Sequence, residues 1–437
     1  MYRIEFENLV HWKKSDKRKP LLIRGARQVG KTWLMKEFGE KEYEQTIYIN
    51  FESSSHLKEI FESDFDIQRI ITALQIETGI IASKHDTLII FDEIQEAPKA
   101  ITSLKYFFET APEYHIIAAG SLLGVAIHKH TSFPVGKVEF LDLYPLNFIE
   151  FLYANKQENL ISILKGKQWE LIKSFKSKFI QYLKQYYFIG GMPEAVHSFV
   201  SNNDFKEVRN IQHTILQAYE QDFSKHAPIE IVPRIRMVWN SIPAQLAKEN
   251  RKFIYGLIKE GARAKDFELA INWLLDCGLL YKINRATKPA VPLKAYIDLS
   301  AFKLFLVDIG LLNAMGNIDI KTLLEGNSIF NEFKGAITEQ FVLQQLLTIK
   351  QFDIYYWSAE RSTAELDFLI QFNNITIPVE VKAEENLQAK SLKVFSQKYN
   401  PVTCFRTSMS DYRIESWLTN IPLYAINQLD IEINILK

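Results

Sequence analysis

Residues 25–32 read Gly-Ala-Arg-Gln-Val-Gly-Lys-Thr, an order of glycines, ammonium and hydroxyl that suits a chain holding a string of phosphates. Gly25 and Gly30 let the backbone curl without a Cβ clash. The N–H groups of Gly25, Ala26, Arg27, Gln28, Val29, Gly30, Lys31 and Thr32 can then face anionic oxygens. In such a loop Lys31 reaches the β and γ phosphates and the Thr32 hydroxyl ligates Mg²⁺. A second chemically capable group lies far downstream, in Glu365-Leu366-Asp367-Phe368-Leu369-Ile370 and Ile377-Pro378-Val379-Glu380-Val381-Lys382. These runs read as a β-hairpin turning at Asn373-Asn374. The two-residue period puts Ile377, Val379 and Val381 on one face, and Glu380 with Lys382 on the other. Asp367 stands 13 residues before Glu380, so both carboxylates can converge on one hard cation beside Lys382.

The elements that must position these groups alternate. Pro20-Leu21-Leu22-Ile23 predicts a strand ending at the phosphate loop, and Trp33 to Phe38 a helix beginning there, so that the helix N-terminus adds its own donors. Thr46 to Phe51 predicts a second strand and Ile67 to Thr78 a helix. Thr87-Leu88-Ile89-Ile90-Phe91-Asp92-Glu93 is a buried strand delivering two carboxylates at its C-terminal end, where open α/β sheets bind ligands. It looks like a Walker B motif, in which Asp92 holds Mg²⁺ through water and Glu93 polarises the attacking water. His115 to Ala119 predicts the next strand, and Gly120-Ser121 after it makes Ser121 the candidate γ-phosphate sensor. Gln95 fits two roles, a second sensor or a cap on the following helix.

The 437 residues are 47% hydrophobic, enough to bury several cores, and 52 basic residues balance 52 acidic ones. No global positive field advertises nucleic acid, so any such contact must use a local patch. Cys277 and Cys404 are too few for a disulfide framework, no apolar run approaches a membrane span, and the first residues lack a signal-peptide apolar region. A cytoplasmic protein without membrane attachment is expected.

Arg24-Gly25-Ala26-Arg27-Gln28-Val29-Gly30-Lys31-Thr32, Phe91-Asp92-Glu93-Ile94-Gln95 and Ala119-Gly120-Ser121 together resemble the AAA-like ATPases of bacteria and archaea. The segments 143–151, Gly190-Gly191-Met192-Pro193-Glu194 and 302–311 resemble one subfamily that carries an uncharacterised C-terminal domain. Where that family usually has Gly-Arg before its Pro-Leu-x-Phe segment, this chain has Gly136-Lys137, and lysine lacks the planar fork of arginine. Residues 151 to 222, rich in helix formers and aromatics, resemble the helical lid of AAA-type ATPases. Arg234, Arg236 and Arg263 could act in trans, and none is assigned. Residues 251–283 look like the family's winged helix, made locally basic by Lys248, Arg251, Lys252, Lys259, Arg263, Lys265, Arg285 and Lys288. It could bind DNA or serve as a spacer.

The carboxylate hairpin in turn resembles the PD-(D/E)xK fold of restriction-endonuclease-like nucleases, with Leu366 where a Pro is expected. The resemblance implies a second Mg²⁺ or Mn²⁺ held by Glu339, Asp367 and Glu380, with Lys382 steadying the nucleophile or the developing charge. Lys390, Lys393 and Lys398 beyond it could face nucleic-acid phosphate or solvent.

The expectation is an α/β chain: a doubly wound P-loop ATPase domain over 1–150, a helical lid over 151–225, a winged helix over 226–315 and a nuclease-like domain over 316–437. The catalytic candidates are Lys31, Glu93, Ser121, Glu380 and Lys382. The expected activity is ATP hydrolysis with Mg²⁺, driving a C-terminal region that binds or cuts nucleic acid. The alternative is a nucleotide-controlled switch whose inactive C-terminal fold binds DNA or a protein partner. A metabolic kinase fits less well, given the second acidic site. Homo-oligomerisation is left open.

Overall fold

The computed structural model describes residues 1–121, 123–124, 133–248, 252–322, 331–359, 363–385 and 388–435. Arg251, counted above among the basic residues, lies outside them. The chain divides into two compact units: Met1–Pro145 with Asp276–Leu279, and Leu146–Leu275 with Leu280–Lys437.

The first unit begins with helix α1 (Glu5–Lys14) and is built on strands β1 (Leu21–Arg24), β2 (Gln45–Asn50), β3 (Thr87–Asp92), β4 (His115–Ala119) and β5 (Glu139–Asp142), all parallel in the order β2-β3-β4-β1-β5. Every residue of β3 and β4 is buried, which is why both read as continuous apolar runs. Helices α2 (Lys31–Glu42), α3 (Ser55–Ser63), α4 (Ile67–Thr78) and α5 (Pro98–Thr110) connect them. The limits of α4 are chemical. Asp66 caps its start by accepting from Gln68 N and Arg69 N, left-handed Gly79 ends it, and Ile67, Ile70, Ile71 and Leu74 form its buried stripe. The strand order matters for the site: β4 lies between β1 and β3, so Gly120-Ser121 at its end falls between the phosphate loop and Asp92-Glu93.

His115 opens β4 as a buried polar group, its Nδ1 2.7 Å from the Tyr43 hydroxyl among the rings of Trp12, Tyr43 and His85. Burial, reinforced by Arg18, His85 and Lys13, pushes its imidazole down to about 3. The folded unit therefore keeps His115 neutral while the unfolded chain takes up a proton below pH ~6.5. Stability present above that pH is lost as pH falls towards 3, at up to ~1.4 kcal/mol per unit. Denaturant unfolding at pH 6 and pH 4 is expected to show this extra loss in the wild type and not in His115→Gln. Equal slopes would contradict it.

The second unit begins with seven helices: α6 (Phe148–Ala154), α7 (Glu158–Lys165), α8 (Trp169–Ser174), α9 (Lys176–Ile189), α10 (Pro193–Asn202), α11 (Phe205–His226) and α12 (Val232–Leu246). Helix α13 (Ala264–Asp276) precedes the antiparallel pair β6 (Leu280–Ala286) and β7 (Ile297–Leu306), and α14 (Ile309–Met315) and α15 (Asn331–Leu346) follow. Then come β8 (Phe352–Ser358), β9 (Glu365–Phe372), β10 (Ile375–Val381), α16 (Lys390–Tyr399), β11 (Phe405–Ser408), β12 (Arg413–Ile414), β13 (Thr419–Pro422) and α17 (Leu429–Ile435). One eight-stranded mixed sheet runs β12-β13-β11-β10-β9-β8-β6-β7.

A glycine pair, Gly190-Gly191, and the segment carrying buried Asp308 lock helices to sheet in this unit. Asp308, fully buried, accepts from Gly191 N at 2.6 Å, Leu311 N at 3.1 Å and Gln344 Nε2 at 3.1 Å. Gly190 has φ +74°, and a Cβ there would stand 2.1 Å from Asp308 Oδ1. Further bonds join Phe148 N to Gln345 Oε1 at 2.7 Å and Gln344 Nε2 to the Tyr186 hydroxyl at 2.9 Å. Helices and C-terminal sheet thus share one compact unit.

Candidate nucleotide site and C-terminal carboxylate cluster

The phosphate loop joins β1 to α2, and its curl depends on Gly25 at φ +146°, where a Cβ would meet Leu143 O at 2.2 Å, and on Gly30 at φ +94°, which caps α2. Gln28 also takes a positive φ, 67°. Lys31 lies across the loop and donates to Gly25 O at 2.9 Å and Ala26 O at 2.8 Å. Burial pushes its ammonium down to about 8, while Glu93 and Asp92 pull the other way. An incoming phosphate offers this lysine a better partner than two carbonyls.

Thr32 Oγ1 donates to Asp92 Oδ2 at 2.7 Å, so the two groups predicted to serve Mg²⁺ already meet. A hydroxyl and a carboxylate this close are a donor pair suited to a hard cation, and the residues fit Mg²⁺. Glu93 sits in the left-handed region, φ 49° and ψ 44°, where the chain leaves β3. A non-glycine residue held there is a local strain of the kind that gathers at functional sites. The Glu93 carboxylate accepts from Gln95 Nε2 at 2.6 Å and from the Ser121 hydroxyl at 3.5 Å. Gln95 fits because position 120 is glycine: a Cβ there would stand 2.2 Å from Gln95 Oε1. Gln95 is thus a partner of Glu93, and the helix that follows, α5, starts without a side-chain cap. Lys137 instead pairs with Glu109 at 3.0 Å and lies over the Phe108 ring.

Sequence reasoning missed two residues here. The Tyr48 hydroxyl donates to Asp92 Oδ2 at 2.8 Å, and burial, with that bond, pushes its pKa up to about 12. The signal was available, since β2 pairs with β3 and a polar ring two residues from the end of β2 faces the same region. Arg3, buried, donates to Val29 O at 2.8 Å and Tyr144 O at 2.6 Å, bracing the loop backbone from the chain's third residue. No local pattern announces that bond. Arg3→Met is expected to raise the KM for ATP about tenfold with kcat little changed, since each charged hydrogen bond contributes ~1.5–3 kcal/mol. Steady-state turnover checks it.

The C-terminal residues also assemble, with an addition. Phe368 pairs with Val379 across the hairpin, which sets Asp367 towards Glu380. Asp367 Oδ2 accepts from Val381 N at 2.7 Å. Glu380 Oε1 lies 2.6 Å from Lys382 Nζ, and its Oε2 accepts from Leu392 N, in the first turn of α16, at 3.2 Å. The sequence pattern left Glu380 on a polar face, whereas both faces of β10 are covered and Glu380 is only 4% exposed. Burial pushes its carboxyl up and Lys382 pulls it down. Glu339, on α15, is joined to the group through a residue not foreseen: Lys303 Nζ lies 2.6 Å from Glu365 Oε1 and 3.8 Å from Glu339 Oε2. A lone lysine inside the apolar run Ala301–Val307 was the signal.

Of the basic residues, Lys248, Lys252, Lys259, Arg263, Lys265 and Lys288 are exposed, while Arg285 is engaged by Asp298 and Ser358 O. Arg234 and Arg236 are exposed, Arg236 donating to Ser224 Oγ. Lys390 and Lys393 are exposed on α16.

Residues 17–152 match the AAA domain family, the stretch that holds every element of the nucleotide site from β1 to β5. The first unit therefore carries a P-loop AAA-like ATPase domain. Residues 180–322 and 334–426 match two domains of unknown function, DUF8612 and DUF4143. No curated protein matches the chain. Among solved structures, a Walker-type ATPase of Pyrococcus abyssi aligns at 15% identity over 72% of this chain and 95% of its own, with a TM-score of 0.45. The ORC1 protein of Aeropyrum pernix, in complex with DNA, aligns at 13% over 72% and 91%, TM-score 0.28. Cdc6p of Pyrobaculum aerophilum aligns at 11% over 74% and 93%, TM-score 0.25. No helix among the described residues is long and apolar enough to cross a membrane.

Proposed function

We propose that the chain hydrolyses ATP with Mg²⁺ and uses the nucleotide state to control binding of nucleic acid by its second unit. The single observation behind the hydrolytic half is the Glu93 carboxylate, held by Gln95 and Ser121 beside the Thr32–Asp92 pair. In this reading Lys31 and the loop N–H groups bind the phosphates, Thr32 and Asp92 hold Mg²⁺, and Glu93 orients water and takes its proton. Bound Mg²⁺ would supply neutralisation of phosphate charge. Ser121 and Gln95 fix the direction of the Glu93 carboxylate and free it when a γ-phosphate competes for them.

The second half rests on the basic residues of 248–265. They flank helices α12 and α13 before the β6–β7 pair, an order that fits a winged helix. We read α6 to α11 as the helical lid, and α15 with β8 to β11 and α16 as the nuclease-like fold. Its carboxylates leave two readings, cutting or binding alone, and the burial of Lys303 among them favours binding. ATP turnover with and without DNA, with the nucleic acid analysed in the same tubes, tests the proposal. Stimulated turnover with intact DNA is the expected result, and turnover indifferent to DNA over a wide salt range would sink the nucleic-acid half.

A further inference from the structure

The carboxylate cluster already contains a cation belonging to the chain. Lys303 is 0% exposed, and its ammonium stands 2.6 Å from Glu365 Oε1, 3.8 Å from Glu339 Oε2 and 4.9 Å from the centre of the Tyr356 ring. Its two carboxylate partners come from two other elements, Glu339 from α15 and Glu365 from β9, so the ammonium sits where they converge. The neighbouring acceptors are engaged as well: Asp367 by Val381 N, Glu380 by Lys382 and by Leu392 N. Mg²⁺ or Mn²⁺ asks for several convergent oxygens around a vacant centre. Among the described residues no three His, Cys, Asp or Glu side chains are grouped to hold a metal. A divalent ion here would meet a positive charge already buried beside these carboxylates. The residues do not fit the metal that the nuclease-like resemblance implies.

We propose that Lys303 takes the place of that metal: the cluster is a lysine-neutralised joint fastening β7 to α15 and β9, and it does not support metal-assisted phosphodiester cleavage. This rests on the nuclease-like reading of the C-terminal fold, and neither outcome below bears on ATP turnover. Removing the lysine leaves buried Glu339 and half-buried Glu365 without this counter-charge, the costly way to break a buried pair.

The test uses the full, nucleotide-free chain carrying Asp92→Asn, so that the nucleotide site cannot contribute a ligand. Mn²⁺ is titrated and the free ion followed by electron paramagnetic resonance. The expected result is no stoichiometric retention, and melting curves in Mn²⁺ and in EDTA that coincide. Lys303→Met is expected to lower the melting temperature by more than about 5 °C. Adding Glu365→Gln is expected to recover part of that loss by removing one uncompensated charge. One equivalent of Mn²⁺ retained, and lost on adding Glu380→Gln, would overturn the proposal. So would a Lys303→Met protein that melts with the parent. If that variant fails to fold, the Mn²⁺ titration still decides.

Discussion

Glu93→Gln is expected to lower ATP turnover by about 100- to 10,000-fold while ATP binding is kept or strengthened. The substitution preserves the shape of the side chain and can still meet Ser121 and Gln95, whose present bonds are 3.5 and 2.6 Å. What it removes is the carboxylate proposed to take a proton from water. The phosphate loop, Thr32 and Asp92 are untouched, so nucleotide should remain on the protein through gel filtration, and single-turnover quench should show uncleaved ATP. Turnover within about threefold of wild type would move the base elsewhere, since a lost general base costs far more.

The second large effect concerns folding. Asp308→Ala is expected to destabilise the second unit by about 3–5 kcal/mol, because Gly191 N, Leu311 N and Gln344 Nε2 lose their buried acceptor together and each orphaned donor costs ~1–3 kcal/mol, not fully additively. Against a domain stability of ~5–15 kcal/mol this is a large share. Gly190→Ala should act on the same joint, since the new Cβ would stand 2.1 Å from Asp308 Oδ1 at a φ of +74°. Denaturant unfolding by tryptophan fluorescence checks both. A loss below about 1 kcal/mol in each would mean the joint relaxes without cost.

Those two motifs show what the sequence could and could not say. Gly190-Gly191 read as a turn between helices, and Phe302 to Leu311 as a family segment. That Asp308 binds them together depends on residues 117 positions apart. Local patterns fared better where chemistry and periodicity coincide. The helix over Ile67–Thr78 and the strand over His115–Ala119 have the expected limits because a capping aspartate, a left-handed glycine and a fully buried run define them. The phosphate loop and Asp92-Glu93 were legible as a pair, since both stand at the ends of parallel strands that the structure brings together. Asp367 and Glu380 were legible too, because a hairpin's register follows from its turn. Tyr48 and Lys303 left only a polar residue in an apolar run as a trace and Arg3 left none, as each acts through neighbours brought close only by folding.

The central claim is that the first unit hydrolyses ATP through its phosphate loop. The most direct measurement is steady-state ATP turnover of the full chain with Mg²⁺, run beside Lys31→Ala. Measurable wild-type turnover that falls to background in Lys31→Ala is the predicted result. Undiminished turnover in Lys31→Ala, or none in a wild type that binds ATP, would contradict it.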